Sequence, residues 1–110
     1  MAKVLANVGG ALTEVLVSAV GGAGVGVVDF GAGATDTKLV VTGQAGILAG
    51  SAVFATVAAT ATAAHSADEH WVDGPAIIAG GIVPGTGFTI YAATKTTALF
   101  GTYTVHWSWV

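Results

Sequence analysis

The end of the chain alternates strictly between apolar and polar positions. Residues 102–110 read Thr-Tyr-Thr-Val-His-Trp-Ser-Trp-Val, with Tyr103, Val105, Trp107 and Trp109 at one set of alternate positions and Thr102, Thr104, His106 and Ser108 at the other. Successive side chains of an extended strand point to opposite faces, so this period predicts a half-buried β-strand. Residues 88–92 (Phe-Thr-Ile-Tyr-Ala) follow a Gly-rich turn and are expected to pair with that strand across the connection of residues 95–101. Residues 38–42 end at Gly43, and residues 51–61 form a long small-residue strand anchored by Val53, Phe54 and Val57. Residues 70–72 and 76–83 add further strands, bounded by Gly74-Pro75 and by Pro84; residues 15–20 and 25–30 complete the set. Short strands with frequent turn signals predict an all-β fold, a β-sandwich or jelly-roll-like barrel of about seven or eight strands.

The N-terminal third has a different texture. Gly21-Gly22-Ala23-Gly24-Val25-Gly26 and Gly31-Ala32-Gly33-Ala34 carry little side-chain volume and much backbone freedom. Such a stretch buries too little apolar surface to order itself unaided. Residues 1–36 are therefore expected to be an extended Gly-rich arm or partly ordered hairpin that lies on a neighbour. Residues 37–110 form the β-sandwich domain.

Composition sharpens this picture. Ala, Gly and Thr together account for 53 of the 110 residues, and only nine side chains are charged: Lys3, Lys38, Lys95, Glu14, Asp29, Asp36, Asp68, Glu69 and Asp73. A soluble monomer ordinarily carries about a quarter charged residues, so this chain either enters a membrane or is covered by other protein. Two charge-free runs, residues 39–67 and 74–94, have the length of a transmembrane helix. Their Gly, Thr, Gln and Pro content and the lack of flanking Lys/Arg clusters argue against spans. Three scattered lysines make no basic patch, which argues against nucleic acid as a partner. With no cysteine there is no disulfide and no thiolate chemistry.

Polar chemistry is concentrated in His65-Ser66-Ala67-Asp68-Glu69-His70. His65, Asp68 and His70 are the candidate metal ligands; on a strand, Asp68 and His70 would share a face. A loop joining two strands seldom converges three ligands by itself, so the segment reads as a solvated loop with local capping. No bound metal or cofactor is expected. There is no Gly-x-Ser-x-Gly elbow, and no Lys-Ser/Thr follows the Gly-rich stretch, so no enzymatic activity is expected. Trp71, Phe88, Tyr91, Tyr103, Trp107 and Trp109 are assigned to the core or to an oligomer interface.

Four segments carry a family resemblance: Val41-Thr42-Gly43-Gln44-Ala45-Gly46-Ile47, Ala64-His65-Ser66-Ala67-Asp68-Glu69-His70, residues 80–92 from Gly-Gly-Ile-Val-Pro-Gly-Thr-Gly to Phe-Thr-Ile-Tyr-Ala, and the ending of residues 101–109. Over residues 36–110 the chain resembles small β-rich structural proteins of tailed bacteriophages. The resemblance implies a virion component, chiefly a capsid decoration or cement protein that stabilises the shell through contacts between subunits. Its implied partners are further copies of itself, as a trimer, and the major capsid protein. It would be made in the bacterial host cytoplasm and reside in the virion. The alternative readings are a head- or tail-fibre or tail-tip module contacting the host surface and, third, a small membrane protein.

Overall fold

The computed structural model describes residues 2–8, 11–17, 21–94 and 96–110. Strands β1 (Ala2–Val8) and β2 (Ala11–Val17) form an antiparallel hairpin, with Ala2 opposite Val17 and Val8 opposite Ala11. The chain continues through β3 (Gly22–Asp29), β4 (Asp36–Val41), β5 (Val53–Val57), helix α1 (Ala67–Asp73), β6 (Ala76–Val83), β7 (Gly87–Ala93) and β8 (Thr102–Trp109). Apart from the hairpin, the strands make two antiparallel sheets, ordered β3-β8-β5 and β4-β7-β6. The fold is all-β with one short helix. No helix among the described residues is long and apolar enough to cross a membrane.

The two sheets share a core. The alternation of β8 places Tyr103, Val105 and Trp109 in it, beside Val28 of β3. The other sheet contributes Val41 of β4 with Phe88, Ile90 and Ala92 of β7. Phe88 meets Trp107 edge to face, with ring centroids 5.5 Å apart. Strands β7 and β8 therefore face each other across the core, and the pairing expected between residues 88–92 and the C-terminal strand does not form. Instead β7 pairs with β4 and β6. Both strands are central in their sheets, and their apolar sides bury each other.

The Gly-rich stretch is integral to the first sheet. Gly22 lies opposite Trp109 and Gly24 opposite Trp107. A Cβ on Gly22 would come within 2.5 Å of the Trp109 Nε1, and a Cβ on Gly24 would run into the Trp107 ring. The indoles of β8 thus lie over the bare backbone of β3 at Gly22 and Gly24, so this end of the strand needs no side-chain volume of its own to be held, while Val28 anchors the other end in the core. Pairing with the body begins at Gly22, well before the expected arm boundary at residue 36. The residues 18–20 of another expected strand lie outside the described residues.

Residues 51–61 are a strand only over β5. After Val57 the Ala58 N–H still bonds to the Thr104 carbonyl, at 2.9 Å. The chain then turns away, leaving the β5-side edge of β8 uncovered by strand from Phe100 to Thr104. That edge is where the polar residues gather.

Candidate functional site

Residues 70–72, expected as a strand, belong to α1. Ser66 caps the helix: its side chain accepts the Glu69 N–H, while Glu69 accepts the Ser66 N–H, a reciprocal capping box. Gly74 ends it with a left-handed backbone, φ 41°, and returns its N–H to the His70 carbonyl. Both signals, Ser-x-x-Glu and the closing Gly, are legible in the sequence. They outweigh the β-forming Trp71 and Val72.

The helix and the loop before it complete the exposed edge of β8. The Thr62 Oγ1 donates to the Thr102 carbonyl at 2.8 Å, and the Thr104 Oγ1 donates to the Thr60 carbonyl at 2.8 Å. The Thr104 N–H donates to His70 Nε2 at 2.9 Å. His70 is fully buried, and its Nδ1 lies 2.7 Å from the Ser66 carbonyl. One nitrogen must donate and the other accept, which assigns the neutral Nδ1–H tautomer. Every strand edge must satisfy its backbone groups or risk pairing with another chain; here a histidine does so.

His65 performs the parallel task one turn earlier, with its Nε2 donating to the Phe100 carbonyl. The ring is buried and stacks on Tyr103 with centroids 4.1 Å apart. Gly101, at φ 69°, makes room for this: a Cβ there would come 2.5 Å from the Ala64 Cβ and 3.5 Å from His65 Nε2. The other nitrogen, Nδ1, lies 2.9 Å from Glu69 Oε2 and 3.9 Å from Asp73 Oδ2. Tyr103 closes the cluster by donating its hydroxyl to Asp73 Oδ2 at 2.7 Å.

Burial acts to lower the His65 pKa. The Phe100 carbonyl, the hydrogen bond and charge of Glu69 and the charge of Asp73 outweigh it, so the pKa lies above the ordinary value. Glu69 is held below the usual carboxylate range, first by the hydrogen bond from His65 and then by those from Ser66. Burial, followed by the Asp73 carboxylate, pushes the Tyr103 phenol up.

Of the expected ligands, only His65 belongs to this cluster. The expected trio of His65, Asp68 and His70 does not assemble, because a helix replaces the strand and both His70 nitrogens are engaged by backbone groups. Instead the ligand atoms of His65, Glu69 and Asp73 lie within 4.8 Å of one another. Glu69 and Asp73 are i and i+4 on the helix, and His65, just before the N-cap Ser66, reaches them from the loop, a spacing that a strand reading of this segment conceals.

A second feature lies on the outward face of the β3-β8-β5 sheet. A groove of about 710 Å³ is lined by Ala23, Val25, Phe54, Thr56, His106 and Ser108 among others. Val25, Val27 and Phe54 are exposed around it; the other sheet exposes Val40, Ile78 and Tyr91. The aromatic residues are distributed accordingly. Phe88, Tyr103 and Trp109 are buried and Trp107 is half-buried, whereas Tyr91 is exposed and Trp71, on α1, is 80% exposed.

No match supplies a function. No family model matches the chain, and neither a curated protein nor a solved structure matches it.

Proposed function

We propose that this chain is a non-enzymatic structural subunit of a symmetric assembly, and specifically a capsid decoration protein of a tailed-bacteriophage virion. The observation that carries the assembly reading is the number of large apolar side chains exposed on the two outward sheet faces: Val25, Val27 and Phe54 on one, Val40, Ile78 and Tyr91 on the other. Large apolar side chains left exposed in this number, interleaved with His106 and Ser108 on one face and with Lys38 on the other, are expected where another protein covers them. The nine charged side chains of the whole chain favour the same reading. The virion assignment rests on the resemblance of residues 36–110. The finer architecture that goes with it is a β-sandwich or jelly-roll-like barrel, with the N-terminal segment tying one subunit to the next as a trimer and the major capsid protein beneath.

The test has two parts. Sedimentation of the purified chain is expected to give a concentration-dependent oligomer, and Phe54→Lys with Val25→Lys should yield a monomer with an unchanged far-UV spectrum. A wild-type chain that stays monomeric at high concentration would overturn the assembly reading. Copy number in a purified virion addresses location: hundreds of copies support decoration. A few copies support a fibre or tail-tip module, the reading that the exposed Trp71 favours because a solvent-facing indole suits a host-surface glycan.

A further inference from the structure

From the geometry of His65, Glu69 and Asp73 we infer a binding site for a borderline divalent cation of the Zn2+ class. The three residues offer one imidazole nitrogen and two carboxylates, all within 4.8 Å of one another. Contraction to the roughly 2.0–2.2 Å bonds such an ion makes needs only modest side-chain movement. The movement is available where it is needed, since the side chains of Glu69 and Asp73 are 50% and 30% exposed while that of His65 is 1% exposed.

The histidine is arranged as a ligand. Its remote nitrogen, Nε2, is bonded to the Phe100 carbonyl, and stacking on Tyr103 fixes the ring plane. A histidine ligand characteristically directs its second nitrogen to a carbonyl or carboxylate, which sets the tautomer and aims the other lone pair. Here that other atom is Nδ1, and it faces both carboxylates. Outer partners hold the carboxylates as well: the Ser66 N–H on Glu69 Oε1 and the Tyr103 hydroxyl on Asp73 Oδ2.

Charge points the same way. A protonated His65 offsets one of the two carboxylates and leaves the trio at −1. Among the described residues the ion-pair partner of both acids is His65. A dication bound to neutral His65 brings the trio to zero. Water completes the coordination from the solvent side, where the exposed carboxylates provide the entry path. Binding displaces the Nδ1 proton to solvent. Asp68 and His70 take no part, and neither does the outward-facing His106. The inference is independent of the assembly reading, because every ligand comes from one chain.

The experiment is a calorimetric titration of the full-length chain, stripped with EDTA and desalted, with Zn2+, accompanied by melting curves and by Co2+ absorption. The expected result is 1:1 saturable binding, a rise in Tm with Zn2+, and visible Co2+ bands of a low-symmetry nitrogen–oxygen site. Glu69→Gln and Asp73→Asn alter exposed groups, so they should fold. Each should weaken Zn2+ by more than about tenfold, the least that losing even an outer partner of a metal site costs. His106→Ala should leave binding unchanged. Undetectable wild-type binding overturns the inference. So does binding that survives both carboxylate variants, or that disappears with His106→Ala.

Discussion

Replacing His70 by Ala tests whether the polar cluster is a structural closure of the β8 edge. The substitution removes the acceptor of the Thr104 N–H, a group on a residue only 5% exposed. Leaving a buried donor unpaired costs about 1–3 kcal/mol. The bond from Nδ1 to the Ser66 carbonyl is lost as well, worth about 0.5–1.5 kcal/mol. That carbonyl still accepts the residue-70 backbone N–H, so it is not orphaned. The vacated ring volume, beside Tyr103 at 5.2 Å between centroids, adds roughly 1 kcal/mol more. The expected loss is about 3–5 kcal/mol, a large part of the ~5–15 kcal/mol that holds a domain folded. At roughly 4 °C per kcal/mol for a chain of this length, Tm should fall by about 12–20 °C. The assay is urea unfolding followed by tryptophan fluorescence, at one fixed protein concentration because association would shift the midpoint. His106→Ala, on the exposed outward face, is the control and should change stability by less than about 0.5 kcal/mol. Amide exchange gives a second reading, with Thr104 protected in the wild type and unprotected in the variant. A His70→Ala loss below about 1 kcal/mol, with Thr104 still protected, would refute the reasoning.

Three further outcomes follow from the same geometry. Gly24→Val sets a branched side chain against the Trp107 ring and should destabilise by about 1–3 kcal/mol, whereas Gly50→Ala, which has open space around it, should be near neutral; equal effects in chemical denaturation would contradict the glycine–indole account. Ser66→Ala removes the cap of α1 and should cost about 1 kcal/mol, and its effect should not add to that of Glu69→Ala, since each residue caps through the other; strict additivity in a double-mutant cycle would deny the capping box. In metal-free buffer the raised pKa of His65 means that its folded-state contribution is fully present below the unfolded value of about 6.5 and is lost as pH rises through the higher folded value. Melting temperatures in EDTA should therefore decline across that window, with a flatter profile in Glu69→Gln; an unchanged slope would show that Glu69 does not raise the pKa.

Much of the fold was legible in the sequence, for physical reasons that differ by element. Residues 102–109 declared themselves because one face is apolar and the other polar, and residues 76–83 because an apolar run is bounded by Gly74-Pro75 and Pro84. Pairing was harder to read. A strand's alternation reports which face is buried but not which neighbour it hydrogen-bonds to, so residues 88–92 could be placed in the core but not in the correct sheet. The glycines of β3 misled for another reason: their significance resides in Trp107 and Trp109, more than 80 positions away. Volume absent from one strand is supplied by the next, and local composition cannot show this. At α1 two local rules conflicted, β propensity at residues 70–72 against a capping box, and the box prevailed because it satisfies several helix-end backbone groups at once.

The candidate site follows from the same division of β8. Its second half, from Val105 to Trp109, is flanked by β3 and β5, so its backbone is satisfied by strands and its outward face presents His106 and Ser108 between the exposed Val25 of β3 and Phe54 of β5. Its first half extends beyond β5, and from Phe100 to Thr104 the backbone is satisfied by His65, Thr62 and His70 instead. Those groups bring Glu69 and Asp73 with them, because the short helix that positions His70 also carries both acids. In a chain with so few charges, this places three of the six carboxylates, Asp68 with Glu69 and Asp73, on the helix at one end of one sheet and leaves the groove without a charged residue in its lining. The two surfaces can therefore serve different partners. A neighbouring subunit covering the groove would contact residues paired with positions 106–108, while the carboxylates lie beside positions 100–104. Zn2+ binding should accordingly persist in the assembled protein at one ion per chain. A stoichiometry that falls as the oligomer forms would place the carboxylates inside the interface and join the two surfaces into one.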